Sequence, residues 1–124
     1  MPAANAISIE YFPSLEGSMS SSDGRTFYLK AERDDGSAVM LGFPHIEIPN
    51  IIELAAMQLA HGRDNEGQAV VTAFQSTSFT VGRGPQGEIV LSLRVGQTGS
   101  ISFLLPNGMP TQIIDALAKS VTRH

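Results

Sequence analysis

The chain has 124 residues, which suits one ordinary domain that buries a core without a disulfide or a metal. It has no cysteine, so thiolate catalysis, thiol redox chemistry and cysteine-based zinc sites are excluded. The net charge of −4 comes from 8 basic and 12 acidic residues without a basic stripe, which argues against a nucleic-acid partner.

Targeting signals are not apparent in the sequence. Residues 1–12 lack the basic start and the continuous apolar run of a secretion signal. Residues 95–114 carry no charge, but they include three glycines and two prolines among polar residues. A membrane helix needs about 20 mostly apolar residues. We therefore expect a soluble, cytoplasmic protein with no membrane partner.

The first half of the chain predicts three strands followed by a helix. The leading strand is expected over residues 7–19, and Asp34-Asp35-Gly36 predicts the turn of a hairpin. Apolar residues alternate along both hairpin strands: Phe27, Leu29, Ala31, Val39, Leu41 and Phe43. Pro49 suits the first turn of a helix, and Gly62 suits its end. The helix has an apolar stripe of Ile51, Ile52, Ala55, Ala56 and Leu59.

The second half predicts the same four elements. A leading strand is expected over residues 69–81, and Gly96–Gly99 predicts the hairpin turn. The alternating residues are Ile89, Leu91, Leu93 and Val95 on one strand, and Ile101, Phe103 and Leu105 on the other. Pro110 begins a helix whose stripe is Ile113, Ile114, Leu117, Ala118 and Val121.

The two halves align without gaps at an offset of about 62 residues, which is the length of a small structural repeat. Pro44 matches Pro106, and both the alternating strand residues and the helix stripes match. Identical residues at this offset are few, and any two units of this type share some apolar register. The interpretation is one domain over residues 1–124, with repeat 1 at about 1–62 and repeat 2 at about 63–124.

The predicted fold class is α+β, a tandem β-β-β-α repeat with pseudo-two-fold symmetry. It would form a mostly antiparallel sheet of about six strands with two helices packed on its apolar face, because one unit alone covers its helix poorly. A half-barrel with the helices at its mouth is the alternative.

Residues 82–87 match the pattern G-x-G-x-x-G of dinucleotide sites. In such sites the glycines follow a strand and open a helix. Here they precede the predicted strand that begins near Glu88, and Pro85 lies between them. A hairpin loop accounts for the segment, so no cofactor is predicted.

His45 and Glu47 are the strongest candidates for chemistry. If their segment is extended, both side chains point the same way and could bind a metal or act as an acid–base pair. A metal usually needs three or four ligands, and the second half has Asn107 and Met109 at the matching positions. The alternative is an exposed rim, with Glu47 favourable near a helix N-terminus. We therefore assign no catalytic residue and no metal ligand.

The predicted function is that of a non-enzymatic binding or protein-interaction module. Exposed sheet edges pair with a second copy or with an extended partner, which favours self-association or a protein partner. The alternative is a small-molecule pocket between the halves or between sheet and helices. Its expected lining is Phe43, His45, Glu47, Phe103 and Met109. An enzyme that uses His45 and Glu47 is the remaining hypothesis.

Overall fold

A computed structural model describes residues 7–121. The strands are β1 (Ser14–Ser20), β2 (Thr26–Glu32), β3 (Ala38–Pro44), β4 (Phe79–Arg83), β5 (Ile89–Val95) and β6 (Gly99–Leu105). The helices are a 3₁₀ turn (His45–Glu47), α1 (Ile48–Leu59) and α2 (Met109–Val121). The predicted α+β class and the order β-β-β-α in each half are confirmed. The chain divides into two compact units, with the boundary between Val71 and Thr72. Whether these units form one domain stays a prediction.

The six strands form two antiparallel sheets of three, in the orders β1-β2-β3 and β4-β5-β6. The expected single sheet of six is therefore not formed within residues 7–121. Each strand pairs only with its neighbour in the chain, because the short hairpin loops bring consecutive strands together. Between α1 and β4 the chain makes one isolated bridge, from Arg63 to Ala69, and no described strand.

The register of the hairpins follows the predicted offset of 62 residues. Phe27 pairs with Phe43 in the first unit, and Ile89 pairs with Leu105 in the second. Because side chains alternate across a strand, equal registers place the predicted apolar residues on one face of each sheet.

The leading strands begin later than predicted. β1 begins at Ser14, which pairs with Glu32, the last residue of β2. β4 begins at Phe79, although β5 continues for two residues beyond its partner Leu93. A bulge between Leu15 and Gly17 interrupts β1, whereas the pairing of β4 is continuous. The two units thus share one hairpin geometry and differ in the first strand.

The core of the first unit lies on one face of β2. Phe27 and Ala31 are buried there, and because they are four residues apart on the strand they point to the same side of the sheet. The ring of Phe27 stacks on that of Phe43, with 5.6 Å between centroids. At the end of β2, Arg33 Nε donates to the carboxylate of Glu10 at 2.6 Å, and this ion pair ties the segment before β1 to the sheet.

The helices begin as expected. Pro49 and Pro110 both lie in the first turn of their helix, where the missing N–H is not needed. Neither α1 nor α2 contains a fully buried residue. Among residues 7–121, neither helix combines the length and the apolar character that a bilayer crossing requires.

Candidate interaction surface in the second unit

The sheet of the second unit has one apolar and one polar face. Antiparallel pairing places Val81, Leu91 and Phe103 side by side on the apolar face. On the polar face the hydroxyls of Ser92 and Ser102 are 2.7 Å apart and share a hydrogen bond. Side chains alternate between the two faces along β5, and Val90 adds one apolar side chain to the polar face.

Helix α2 presents its apolar stripe to this face of the sheet. A turn joins β6 to the helix, and in it the backbone N–H of Met109 donates to the carbonyl of Pro106 at 3.1 Å. Pro110, Ile113 and Leu117 follow at helical spacing and therefore lie on one side of α2.

An open apolar cavity of about 650 Å³ lies between the sheet and α2, and we call it the sheet–helix trough. It is lined by Ser76, Thr77, Ser78, Phe79, Val81, Ile89, Leu91, Leu93, Leu105, Pro110, Ile113, Ile114 and Leu117. Ten of the thirteen residues are apolar, and none is charged. All of them belong to the second unit. The trough therefore favours an apolar occupant.

Much of the trough lining is in contact with solvent. Phe79 is 67 % exposed, Ile114 65 % and Leu117 59 %. These are large side chains on adjacent elements, so they form one continuous patch rather than scattered single residues. Contiguous apolar patches of this kind mark interaction sites on folded proteins.

The residues that the sequence proposed as a pocket lie elsewhere. Phe43 is half-buried in β3 against Phe27. Phe103 and Met109 belong to the same unit as the trough, in β6 and at the start of α2, but neither lines it. The proposed set is divided between the two units, and the ligand-binding role of its members stays a prediction.

His45 and Glu47 lie in the 3₁₀ turn instead of an extended segment. A 3₁₀ helix turns by a third of a circle per residue, so residues two apart do not share a side. The condition for a His–carboxylate pair is therefore not met. The Glu47 carboxylate accepts a hydrogen bond from Asn50 Nδ2 at 3.1 Å, at the start of α1.

The G-x-G-x-x-G segment connects β4 to β5, which confirms the hairpin-loop interpretation. The backbone N–H of Gly84 donates to the carbonyl of Glu88 at 2.7 Å. Gly87 has φ of +85°, a left-handed conformation that favours glycine. The segment leads into a strand, so it lacks the helix N-terminus that holds a pyrophosphate.

Two carboxylates share one polar site on the first sheet. Lys30 Nζ is 3.1 Å from the Glu16 carboxylate. A hydrogen bond with Glu32 lowers the pKa of Glu16, and Lys30 lowers it further. The same hydrogen bond raises the pKa of Glu32, because it requires a proton on Glu32, and the negative charge of Glu16 raises that pKa further. Within residues 7–121, no three His, Cys, Asp or Glu side chains are grouped as a metal site.

We expect Glu16→Gln to return the pKa of Glu32 towards its ordinary value of 4.5, because the opposing charge is removed. Carboxyl ¹³C shifts followed by NMR from pH 2 to 8 would measure it. Asp35 is the internal control, since Ser37 holds its pKa low independently of Glu16. An unchanged Glu32 titration would contradict the proposed contact.

The same carboxylate predicts a pH dependence of stability. The raised pKa of Glu32 means that its contribution to folding is present below pH 4.5 and is lost as the pH rises through the folded pKa. Glu32→Gln removes this ionisation, so we expect the variant to unfold at higher urea than the wild type at pH 7. The two midpoints should converge at pH 3, and a constant difference at all pH values would contradict the prediction.

The trough and the carboxylate pair are two side-chain clusters that are candidate functional surfaces. The trough is larger and uncharged, and it is the stronger candidate for a functional surface. Comparisons of the chain with models of protein families, with curated proteins and with solved structures found no match.

Proposed function

We propose that the chain is a protein-interaction module that binds its partner through the sheet–helix trough. The observation that carries the proposal is the exposure of the trough lining, where Phe79, Ile114 and Leu117 are each more than half exposed. Burial of one such side chain is favourable by about 1.5–3 kcal/mol. A partner that buries several of these side chains gains this free energy for each of them.

The trough lining offers water few hydrogen-bond partners. Its polar side chains are three hydroxyls, from Ser76, Thr77 and Ser78, and the Ser76 hydroxyl donates to the carbonyl of Ser78. Apolar side chains of a partner therefore replace this water favourably.

Openness favours a protein partner over a small molecule. Small-molecule pockets usually enclose 70–90 % of the ligand surface. In the trough, by contrast, Val81 on the sheet and Leu117 on the helix are both 59 % exposed, so both walls are open to solvent. The surface of a second protein can bury both walls of the trough at once, whereas a small ligand would leave much of them exposed to solvent.

Binding without catalysis is the role that the lining supports. Its thirteen residues include no acid, base or imidazole, and the Ser76 hydroxyl donates to the carbonyl of Ser78 at 2.9 Å. The proposed location in the cytoplasm rests on the sequence pattern alone.

Site-specific photo-crosslinking in cells would test the proposal. A benzoylphenylalanine at Leu117 is expected to crosslink to a polypeptide, whereas the same residue at Gln112 is not. Both positions lie on α2, but Gln112 is on the side opposite the apolar stripe. The crosslinked chain would be identified by mass spectrometry. Equal yields at both positions, or none at Leu117, would overturn the proposal.

A small apolar ligand is the second candidate, because about 650 Å³ lies within the ordinary range of ligand pockets. We would titrate the protein with decanoate and follow the NMR signals of the Leu91 and Ile113 methyl groups. Saturable shifts confined to trough methyl groups would favour this candidate, and unchanged spectra would remove it.

A further inference from the structure

We propose that the partner that covers the trough is a second copy of this chain, which packs the same face in a two-fold symmetric homodimer. The inference rests on the proposed function and names its partner. The exposed stripe of α2 in one copy enters the trough of the other, and the reciprocal contact follows from the symmetry.

The exposed area of the chain is too large for a folded monomer. The chain exposes 10676 Å². Area–mass scaling gives about 6,400 Å² for a folded monomer of 13.2 kDa, and about 7,700 Å² for two separately folded units of half that mass. The chain therefore exposes about 3,000 Å² more than two separately folded units of this size would.

This excess is sufficient for a stable dimer. If the nine residues outside the range 7–121 are allowed the full area of an unfolded chain, about 1,400 Å² by the same scaling, roughly 1,600 Å² still remain. A standard interface buries about 800 Å² of each partner. This excess is spread over both units, so an equal share leaves about 800 Å² on the second unit, as much as a standard interface buries of one partner.

The net charges of the two units favour contact between the second units of two identical chains. Residues 72–121 carry three basic and two acidic side chains, whereas residues 7–71 carry four basic and ten acidic ones. Two first units would repel each other at net charges of −6. Two second units, at +1 each and with an uncharged trough, meet with little repulsion.

Helix α2 provides the side chains that enter the partner. Ile114, Leu117 and Val121 are 65 %, 59 % and 67 % exposed and recur at helical spacing. Val121 continues the stripe beyond the trough of its own chain. One stripe thus provides both a wall of its own trough and contacts to a second copy.

Light scattering after gel filtration tests the dimer. Wild-type protein at 100 µM is expected at twice the chain mass of 13.2 kDa. Leu117→Glu buries a charge in the interface and should elute at one chain mass, because an unpaired buried charge is strongly unfavourable. Gln112→Glu adds the same charge to the opposite side of α2 and should remain dimeric. A monomeric wild type, or two variants of equal mass, would overturn the proposal.

A second measurement keeps the test independent of folding in the variants. Wild-type protein should melt at higher temperature as its concentration rises from 1 to 100 µM, because association stabilises the folded state. Circular dichroism of Leu117→Glu would report whether its strands and helices persist. A melting temperature that does not depend on concentration would also overturn the dimer.

Failure of the dimer and failure of the proposed function give different results. Purified protein with benzoylphenylalanine at Leu117 should crosslink to a second copy. If it does not, while the same residue in cells crosslinks to a different polypeptide, the dimer is wrong and the interaction module stands. If neither experiment gives a crosslink, both proposals fail.

Discussion

Phe27→Ala is expected to unfold the sheet of the first unit. Phe27 is 9 % exposed, and its ring stacks on Phe43. Truncation of a core phenylalanine costs about 3–5 kcal/mol. Among the described residues only Phe27 and Ala31 are buried, so few neighbours can fill the cavity. Hydrogen exchange followed by mass spectrometry should show lost protection over β2 and β3.

The control removes an aromatic ring that is not in the core. Tyr11 is 73 % exposed, so Tyr11→Ala should change the free energy of unfolding by less than about 0.5 kcal/mol. We expect β5 and β6 to keep their protection in Phe27→Ala, because they belong to the other unit. Equal losses in both variants would contradict the assigned core.

Gly108→Ala should weaken the junction between β6 and α2. Gly108 has φ of +91°, and a Cβ built there meets no atom within 4 Å. The penalty is therefore conformational rather than steric, and the left-handed conformation costs a residue with a Cβ roughly 1–2 kcal/mol. Relief of this strain moves the first turn of α2, which carries Pro110 in the trough wall. Urea unfolding followed by circular dichroism would measure the loss.

Gly17→Ala is the matched control for this substitution. A Cβ at Gly17 also meets nothing within 4 Å, but its φ is not positive. Alanine there should be neutral or stabilise by up to about 1 kcal/mol, because it restricts the unfolded chain. If both alanine variants lose the same stability, the φ of Gly108 is not the cause.

Sequence periodicity predicted the hairpins well, because their pairing is local. Phe27 and Phe43 face each other as alternation requires, and so do Ile89 and Leu105. Periodicity does not show at which residue the pairing of a strand begins, so the starts of β1 and β4 were placed too early. The single sheet was wrong for a related reason, since equal registers do not specify which edges meet.

The trough could be predicted only in part. Its floor and wall residues, among them Leu91 and Ile113, were recognised from alternation and from the helix stripe, but as core. The space between them depends on the distance between α2 and the sheet, which no pattern of residues specifies. The pair His45 and Glu47 depended on an extended backbone, and the structure forms a 3₁₀ turn there. Both the width of the trough and the separation of His45 from Glu47 thus depend on backbone geometry that the residue pattern does not specify.

Local pairing also has a consequence for the rate of folding. Within residues 7–121, no two paired strand residues lie more than 18 positions apart. Chains dominated by such local contacts close small loops and fold fast, within milliseconds. Refolding should therefore show a fast phase that is independent of protein concentration. The proposed association of two copies is a bimolecular step, and it would add a slower phase that accelerates as the protein concentration rises.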